Sequence, residues 1–197
     1  MMRSKIIGIT GGSGCGKSYI SDILRAEGIY VADADKIGHG IINECEKCRS
    51  EITEYFGDGI LTNGAVDRKK LGKIVFSEPK KLKKLSEITH KYILERIYNE
   101  IEASGGKVAA ADGALLIESG MKCDVMIGVL ADYDIRLRRI MLRDGLTQGE
   151  AKRRLDAQQN DDFYKKNCDF IIYNNGGNAD IERINEIIKG LYNEKNN

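Results

Sequence analysis

The stretch that decides the fold is Gly11-Gly12-Ser13-Gly14-Cys15-Gly16-Lys17-Ser18, which matches the phosphate-binding pattern G-x-x-x-x-G-K-[ST]. Just before it, residues 5–9 are mostly apolar and predict a buried strand; after it, residues 18–26 have the apolar spacing of a helix. A glycine-rich turn at a helix N-terminus directs backbone N–H groups and the positive end of the helix dipole at one anion. The sequence therefore predicts a nucleoside triphosphate site, with Lys17 on the β- and γ-phosphates and Ser18 helping to hold Mg²⁺.

Composition and charge set limits on the partners of the chain. Its 197 residues suit one α/β domain with an inserted helical part and a mobile segment. The formal net charge of +1 calls for neither nucleic acid nor an acidic membrane as a partner. No apolar run is long enough to cross a bilayer and no signal-peptide pattern opens the chain, so we expect a cytoplasmic protein. No exposed apolar stripe stands out, and we expect a monomer or a weak oligomer.

The cysteines predict thiol chemistry rather than a metal centre. Five of them, an odd number, suggest reduced thiols. Cys45 and Cys48 have metal-ligand spacing, but no second Cys or His pair accompanies them, so we assign no metal there. Cys15 lies near a helix N-terminus and Lys17, conditions that lower a thiol pKa. We therefore expect oxidation or alkylation of Cys15 to block ATP, and bound ATP to protect it.

Four further apolar segments, at 28–32, 107–111, 124–130 and 170–173, read as strands with helical segments between them. This order of βαβ units predicts an α/β fold with a parallel sheet and helices on both faces. Ligands bind such sheets beyond the carboxyl ends of the strands, and each of these strands ends in polar or acidic residues. The final helix, 180–192, should pack on the sheet through Ile181, Ile184, Ile187, Ile188 and Leu191.

Roughly seventy residues separate the second and third strands, far more than a simple crossover needs. We predict helices over 36–56, 67–76 and 79–104, with turns at Gly57-Asp58-Gly59 and Asn63-Gly64 and with Pro79 in a first helical turn. An all-helical insertion of this kind is well placed to cover a second substrate. Helical patterning returns at 133–144 and 148–158.

Carboxylates at strand ends supply the remaining chemistry of phosphoryl transfer. Asp33 and Asp35 follow the second strand, and one of them could accept a proton from an attacking hydroxyl; the alternative is that they cap the helix that Asp35 directly precedes. We favour the catalytic role for Asp35. Asp112, after the third strand, is placed to contact Mg²⁺ through water, the alternative being a turn residue before Gly113.

The segment from Arg136 to Arg154 is dense in arginine. These side chains either lie on exposed helix faces or belong to a closing lid whose guanidinium groups stabilise the transferring phosphoryl.

The sequence is compatible with two function classes, a small-molecule kinase and a GTP-dependent switch. Asp35-Lys36-Ile37-Gly38 resembles the Asp-x-x-Gly element of switch proteins, but no Asn-Lys-x-Asp sequence is present to read guanine. The kinase is the stronger interpretation.

Several segments together resemble the dephospho-coenzyme A kinase family. They are the loop at 9–18, the Asp-Ala-Asp signature at 31–37, the insertion segments at 56–57, 66–71, 75–76 and 88–90, the stretch 115–120, the lid residues Arg139, Arg143, Arg154 and Gln158, and the turn at 174–176. The resemblance implies transfer of the ATP γ-phosphate to the ribose 3′-hydroxyl of dephospho-coenzyme A, with Mg²⁺. It also implies a three-layer P-loop, nucleotide-kinase-like fold with a five-stranded parallel sheet, a helical insertion and a lid.

The same resemblance implies boundaries and residue roles. The nucleotide-binding core comprises 1–35, 107–135 and 168–197, the acceptor-binding insertion 36–106 and the lid 136–167. The catalytic residues are Asp35, Lys17 and Arg143. Those expected to bind ATP are Gly12, Ser13, Gly14, Cys15, Gly16, Lys17, Ser18, Tyr19, Arg139, Arg143 and Asn175. Those expected to bind the acceptor are Asp33, Asp35, His90 and Leu115, and the metal contacts are Ser18 and, through water, Asp112.

The chain also departs from the family pattern. Tyr19 replaces a small Thr, Lys91 and Ala114 stand where prolines are usual, and Arg136 occupies a position often held by Gln. Near Tyr164 a lid arginine is expected, and Lys165 or Lys166 is an imperfect substitute because lysine lacks the bidentate fork.

Overall fold

The structure is a computed structural model that describes residues 3–176 and 179–193. The chain divides into two compact units, one formed by Met1–Ala32 with Glu100–Asn197 and the other by Asp33–Asn99. This division follows contacts within the chain, and the functional division into core, insertion and lid stays a prediction.

A five-stranded parallel sheet is the centre of the larger unit. Its strands are β1 (Lys5–Thr10), β2 (Tyr30–Asp33), β5 (Val108–Asp112), β6 (Val125–Leu130) and β7 (Phe170–Tyr173), in the order β2-β5-β1-β6-β7. Between β1 and β5, Ile9 lies opposite Asp112, so the carboxyl ends of these two strands meet. The predicted strands and the three-layer α/β class are confirmed.

The larger unit also contains helices of its own. They are α1 (Lys17–Ala26), α6 (Tyr133–Asp144), α7 (Gln148–Asp156), α8 (Asp161–Asn167) and α9 (Ala179–Asn193). Of these, α7 packs against α6 in a small apolar cluster. Apolar side chains of α1 and α9 join the strands in one core, with Ile20, Leu24, Ile184 and Ile188 buried against Ile7 and Ile127. The packing of α9 on the sheet is confirmed for Ile184, Ile187, Ile188 and Leu191, and Ile181 is half-buried. Helix α8 was not predicted.

The smaller unit has its own hydrophobic core, formed mainly by four helices. They are α2 (Ala34–Glu44), α3 (Glu46–Phe56), α4 (Arg68–Val75) and α5 (Pro79–Ser104). The last residues of α5, from Glu100 on, belong to the larger unit. Buried side chains from all four helices, among them Ile41, Ile52, Leu71 and Ile88, form this core. Pro79 begins α5 as predicted.

Two predictions for this unit are wrong. The helix predicted over 36–56 is broken at Cys45, which has extended angles (φ −96, ψ 108) and serves both as the end of α2 and as the start of α3. The insertion is also not all-helical, because β3 (Leu61–Thr62) and β4 (Ala65–Val66) form an antiparallel hairpin. Asn63 (φ 52) and Gly64 (φ 78) both have positive φ, as a two-residue type I′ turn requires.

In the described part of the chain, no helix is both long and apolar enough to cross a membrane.

Candidate active site

The phosphate loop connects the end of β1 to the start of α1, as predicted. Gly16 precedes α1 with φ 92 and ψ 33, a left-handed conformation that favours glycine. Helix α1 has no side-chain cap at its N-terminus and no acidic residue in its first turn. The first-turn N–H groups that no side chain caps and the helix dipole therefore act together at this end, where an anion is the natural partner.

Lys17 and Ser18 begin α1 at the same place. The Lys17 ammonium is half-buried and donates to the carbonyl of Gly11 at 3.2 Å, which holds it over the loop. Ser18 and Tyr19 are exposed. A cation over the loop and an exposed hydroxyl at the helix start suit a nucleotide carrying a metal ion.

Asp112 lies beside this loop because β5 pairs with β1. Its Oδ2 accepts from the buried hydroxyl of Ser21 at 2.7 Å, and the following residue, Gly113, donates its N–H to Ile9 at 3.0 Å. Carboxylate and hydroxyl oxygens suit Mg²⁺, which usually keeps several waters and is bound by substrate phosphates with one or two carboxylates. The described residues contain no group of three or more His, Cys, Asp or Glu side chains able to hold a metal alone. The site fits a metal that arrives with the nucleotide.

Two arginines of α6 contact the carbonyl side of the loop. Arg136 is only 8% exposed and donates through Nε to Ser13 O at 3.0 Å. Arg139 donates through Nη1 to Gly14 O at 3.1 Å and to Cys15 O at 3.4 Å. The predicted ATP-binding residue Arg139 and the predicted loop residues therefore lie together.

Arg143, predicted to be catalytic, lies at the end of α6 and forms a bidentate pair with its neighbour Asp144 at 2.7 and 2.8 Å. Asp144 also accepts from Nη1 of Arg154 at 2.7 Å. The hydrogen bonds from Arg143 hold the pKa of Asp144 below its usual value, so this carboxylate is ionised at neutral pH. Asp144 is therefore a hydrogen-bond acceptor shared by two predicted lid residues, Arg143 and Arg154.

The two asparagines after β7 take different places. Asn175, predicted to bind ATP, accepts from the backbone N–H of Asp132 at 2.8 Å, before the start of α6. Asn174 is buried, and its Nδ2 lies so close to Gly16 that any Cβ there would collide with it. The sequence singled out the turn at 174–176 but not which asparagine contacts the loop.

The predicted acceptor residues Asp33, Asp35 and His90 belong to the smaller unit. Asp33 caps α2, since its Oδ1 accepts from Lys36 N at 2.8 Å, so the capping role considered for Asp35 is filled by its neighbour. Asp35 is exposed in the first turn of α2, and His90 is half-buried on α5. Leu115, in the larger unit, is 54% exposed in the segment after β5.

The expectation that its surroundings lower the pKa of Cys15 is wrong. Its side chain is only 1% exposed within the core of the larger unit. Burial raises the pKa of the Cys15 thiol, and this effect exceeds the opposing influence of Lys17 and Arg136. A buried and protonated thiol is a packing residue, and it is a poor nucleophile.

Residues 5–180 match the family model of dephospho-CoA kinase (CoaE). The chain belongs to the dephospho-CoA kinase family. Its relative from Geobacillus kaustophilus, named dephospho-CoA kinase, is 40% identical over 183 residues, which cover 90% of this chain and 91% of the relative.

Solved structures agree with this membership. The dephospho-CoA kinase from Campylobacter jejuni superposes with a TM-score of 0.64 at 30% identity and covers 94% of this chain and 96% of its own. The protein TT1252 from Thermus thermophilus has a TM-score of 0.80 at 29% identity, with coverage of 96% and 98%. The resemblance stated from the sequence is therefore confirmed at the level of the family and the fold.

Proposed function

We propose that the chain transfers the γ-phosphate of ATP to the 3′-hydroxyl of the ribose of dephospho-coenzyme A. The products are coenzyme A and ADP, in the last step of coenzyme A synthesis. The observation that carries this proposal is the family match over residues 5–180, which includes the phosphate loop, the Asp-Ala-Asp signature and the arginine-rich segment.

Residues 12–19 bind the donor phosphates, with Lys17 on the β- and γ-phosphates. The uncapped N-terminus of α1 supports this role, because a bound phosphate satisfies N–H groups that no side chain reaches. Asn175 completes the ATP site in this proposal. Ser18, and Asp112 through water, would hold Mg²⁺, which would neutralise charge on the phosphate oxygens.

Asp35 accepts the proton of the ribose 3′-hydroxyl as that oxygen attacks the γ-phosphorus. Its exposure in the first turn of α2 supports this role, since a base must be open to the incoming substrate. Asp33, His90 and Leu115 contribute to the acceptor site, within the insertion 36–106 or at its border. Kinases gain most of their rate from such positioning and from charge neutralisation.

Arg139 and Arg143 supply positive charge to the transferring phosphoryl from the lid, 136–167. The hydrogen bonds of Arg139 to Gly14 and Cys15 support its assignment to the donor side. When the substrates are bound, the Arg143 guanidinium leaves Asp144 and binds phosphate oxygens instead. A carboxylate and a phosphate can both accept two parallel hydrogen bonds from a guanidinium, so the two contacts have the same bidentate geometry. The enzyme works in the cytoplasm as a monomer or weak oligomer.

An acceptor screen tests this proposal. The full chain is incubated with ATP and Mg²⁺ and with dephospho-coenzyme A, a nucleoside, a nucleoside monophosphate, shikimate or adenylyl sulfate, and ADP is measured. We expect ADP formation to require dephospho-coenzyme A. Phosphorylation of a nucleoside but not of dephospho-coenzyme A would contradict the proposal, and GTP hydrolysis without any acceptor would favour a switch protein instead.

A further inference from the structure

Three successive carbonyl groups of the phosphate loop accept hydrogen bonds from one helix. Arg136 reaches Ser13 O at 3.0 Å, and Arg139 reaches Gly14 O at 3.1 Å and Cys15 O at 3.4 Å. Both arginines lie on α6, so these carbonyls are directed toward the same element.

Because the peptide bond is planar, the direction of each of these carbonyls also fixes the direction of the following N–H group. In a trans peptide the carbonyl of one residue and the N–H of the next point in opposite directions. When the carbonyls of Ser13 and Cys15 point to α6, the N–H groups of Gly14 and Gly16 point away from it. N–H groups directed to one side form an anion-binding concavity, and the N–H between these two, that of Cys15, donates to Gly12 O at 3.4 Å within the loop.

Arg136 holds this geometry through a closed set of hydrogen bonds. Its Nη2 donates to Gln158 Oε1 at 2.8 Å, and the same oxygen accepts from Ser13 N at 2.9 Å. Both backbone groups of Ser13 are thus held, one by Arg136 and one by Gln158. A Cβ at Gly12 would collide with Arg136 Nη2 and would lie 2.6 Å from Gln158 Oε1, so the loop fits closely against this pair.

We propose that Arg136 is a positioning residue that, together with Gln158, sets the orientation of the Ser13–Gly14 peptide for binding of the donor phosphates. This inference rests on the proposed function, since it names a further residue of the same ATP site. The planar guanidinium directs Nε and Nη2 to two acceptors in one fixed plane, a rigid geometry that the flexible lysine side chain lacks. Gln158 lies two residues after the end of α7, so the pair also connects the end of this helix to the loop.

The test is the dissociation constant for ATP, measured by calorimetric titration without acceptor. Loss of a hydrogen bond from a charged donor predicts that Arg136→Met binds ATP about tenfold more weakly, with Arg136→Lys in between. We expect Gln158→Met to weaken ATP binding in the same direction and to a smaller extent. The matched control is Arg138→Met, because Arg138 is exposed on the same helix and donates to Asp134 O within it. In Arg136→Lys and Gln158→Met, the KM for dephospho-coenzyme A should stay at the wild-type value.

The outcomes separate this inference from the proposed function. Arg136→Met that binds ATP as tightly as the wild type overturns the inference, whatever the acceptor is. Equal rises in the ATP dissociation constant and in the KM for dephospho-coenzyme A overturn it too, because they indicate a general loss of structure. If Arg136→Met does not fold, Gln158→Met and Arg136→Lys decide, and unchanged ATP binding in both refutes the inference. A wild-type protein that binds ATP without phosphorylating dephospho-coenzyme A contradicts the proposed function alone.

Discussion

Cys15 illustrates at the scale of one residue how burial outweighs a favourable electrostatic position. Its pKa is raised although Lys17 and Arg136 are near, because the side chain is almost fully buried. Since the raised pKa lies above the ordinary value of 9.0, the thiol stays protonated at about pH 8. We expect iodoacetamide at that pH to label Cys15 more slowly than the half-buried Cys45, as followed by peptide mass spectrometry.

The denatured protein provides the control for this prediction, because both thiols should then react at similar rates. Rapid labelling of Cys15 in the folded protein, suppressed by ATP, would contradict the packing role and restore the reactive thiol that the sequence suggested.

Asp35 is the residue whose substitution tests the chemical step. Asparagine keeps the size of the side chain but removes the ability to accept a proton, so we expect Asp35→Asn to lower kcat by about a hundredfold or more with little change in the KM for dephospho-coenzyme A. Steady-state kinetics with both substrates gives this split. Asp22→Asn is the matched control, since Asp22 pairs with Arg25 on an exposed face of α1. Turnover at the wild-type rate in Asp35→Asn would remove Asp35 from catalysis.

Among the elements, α7 depends on a capping box that begins it. The Thr147 hydroxyl accepts from Glu150 N, and the Glu150 carboxylate accepts from Thr147 N at 2.9 Å. Thr147→Ala removes one half of this box at a cost of about 1 kcal/mol, which corresponds to a roughly fivefold loss of amide-exchange protection in α7. Hydrogen exchange followed by NMR measures this locally.

Thr53→Ala supplies the comparison for this cap. Thr53 lies inside α3, where its hydroxyl donates to Arg49 O, and the higher helix propensity of alanine offsets that loss. Unchanged protection of α7 in Thr147→Ala would show that the cap does not hold the helix.

The sequence predicts those elements whose signals are local. The strands and the long helix α5 were predicted because buried strands are continuous apolar runs and α5 is long and begins at a proline. The break at Cys45 has no Gly or Pro to mark it, and helix α8, seven residues long, is too short for a clear apolar period. Asn63-Gly64 predicts the turn of the hairpin, but each of its strands has only two residues, too few to show an alternation of apolar and polar residues.

In the candidate site, too, the sequence predicts only the residues whose signal is local. The loop residues were predictable because the motif is contiguous in sequence. The contacts of Arg136, Gln158 and Asn174 with the loop join positions far apart in the chain, and only the folded sheet with α6 brings them there. The burial of Cys15 likewise follows from packing and has no local signal.

At the scale of the whole molecule, a two-substrate enzyme is consistent with one unit that contains the phosphate loop and a separate unit that begins at the end of β2. The residues predicted to bind the donor lie in the larger unit, and the predicted base and most predicted acceptor residues lie in the smaller one. We therefore expect Lys17→Ala, in the larger unit, to weaken ATP use strongly while the KM for dephospho-coenzyme A changes little, as steady-state kinetics would show. A comparable rise in both KM values would contradict this separation of roles.

The central claim is phosphorylation of one hydroxyl of one acceptor, and the structure of the product tests it most directly. The chain is incubated with ATP, Mg²⁺ and dephospho-coenzyme A, and the product is analysed by phosphorus NMR and mass spectrometry beside Lys17→Ala. The account predicts a new phosphate monoester coupled to the ribose H3′, formed in equal amount to ADP by the wild type and scarcely by the variant. ADP formed without that ester, or a phosphate at another position, would contradict it.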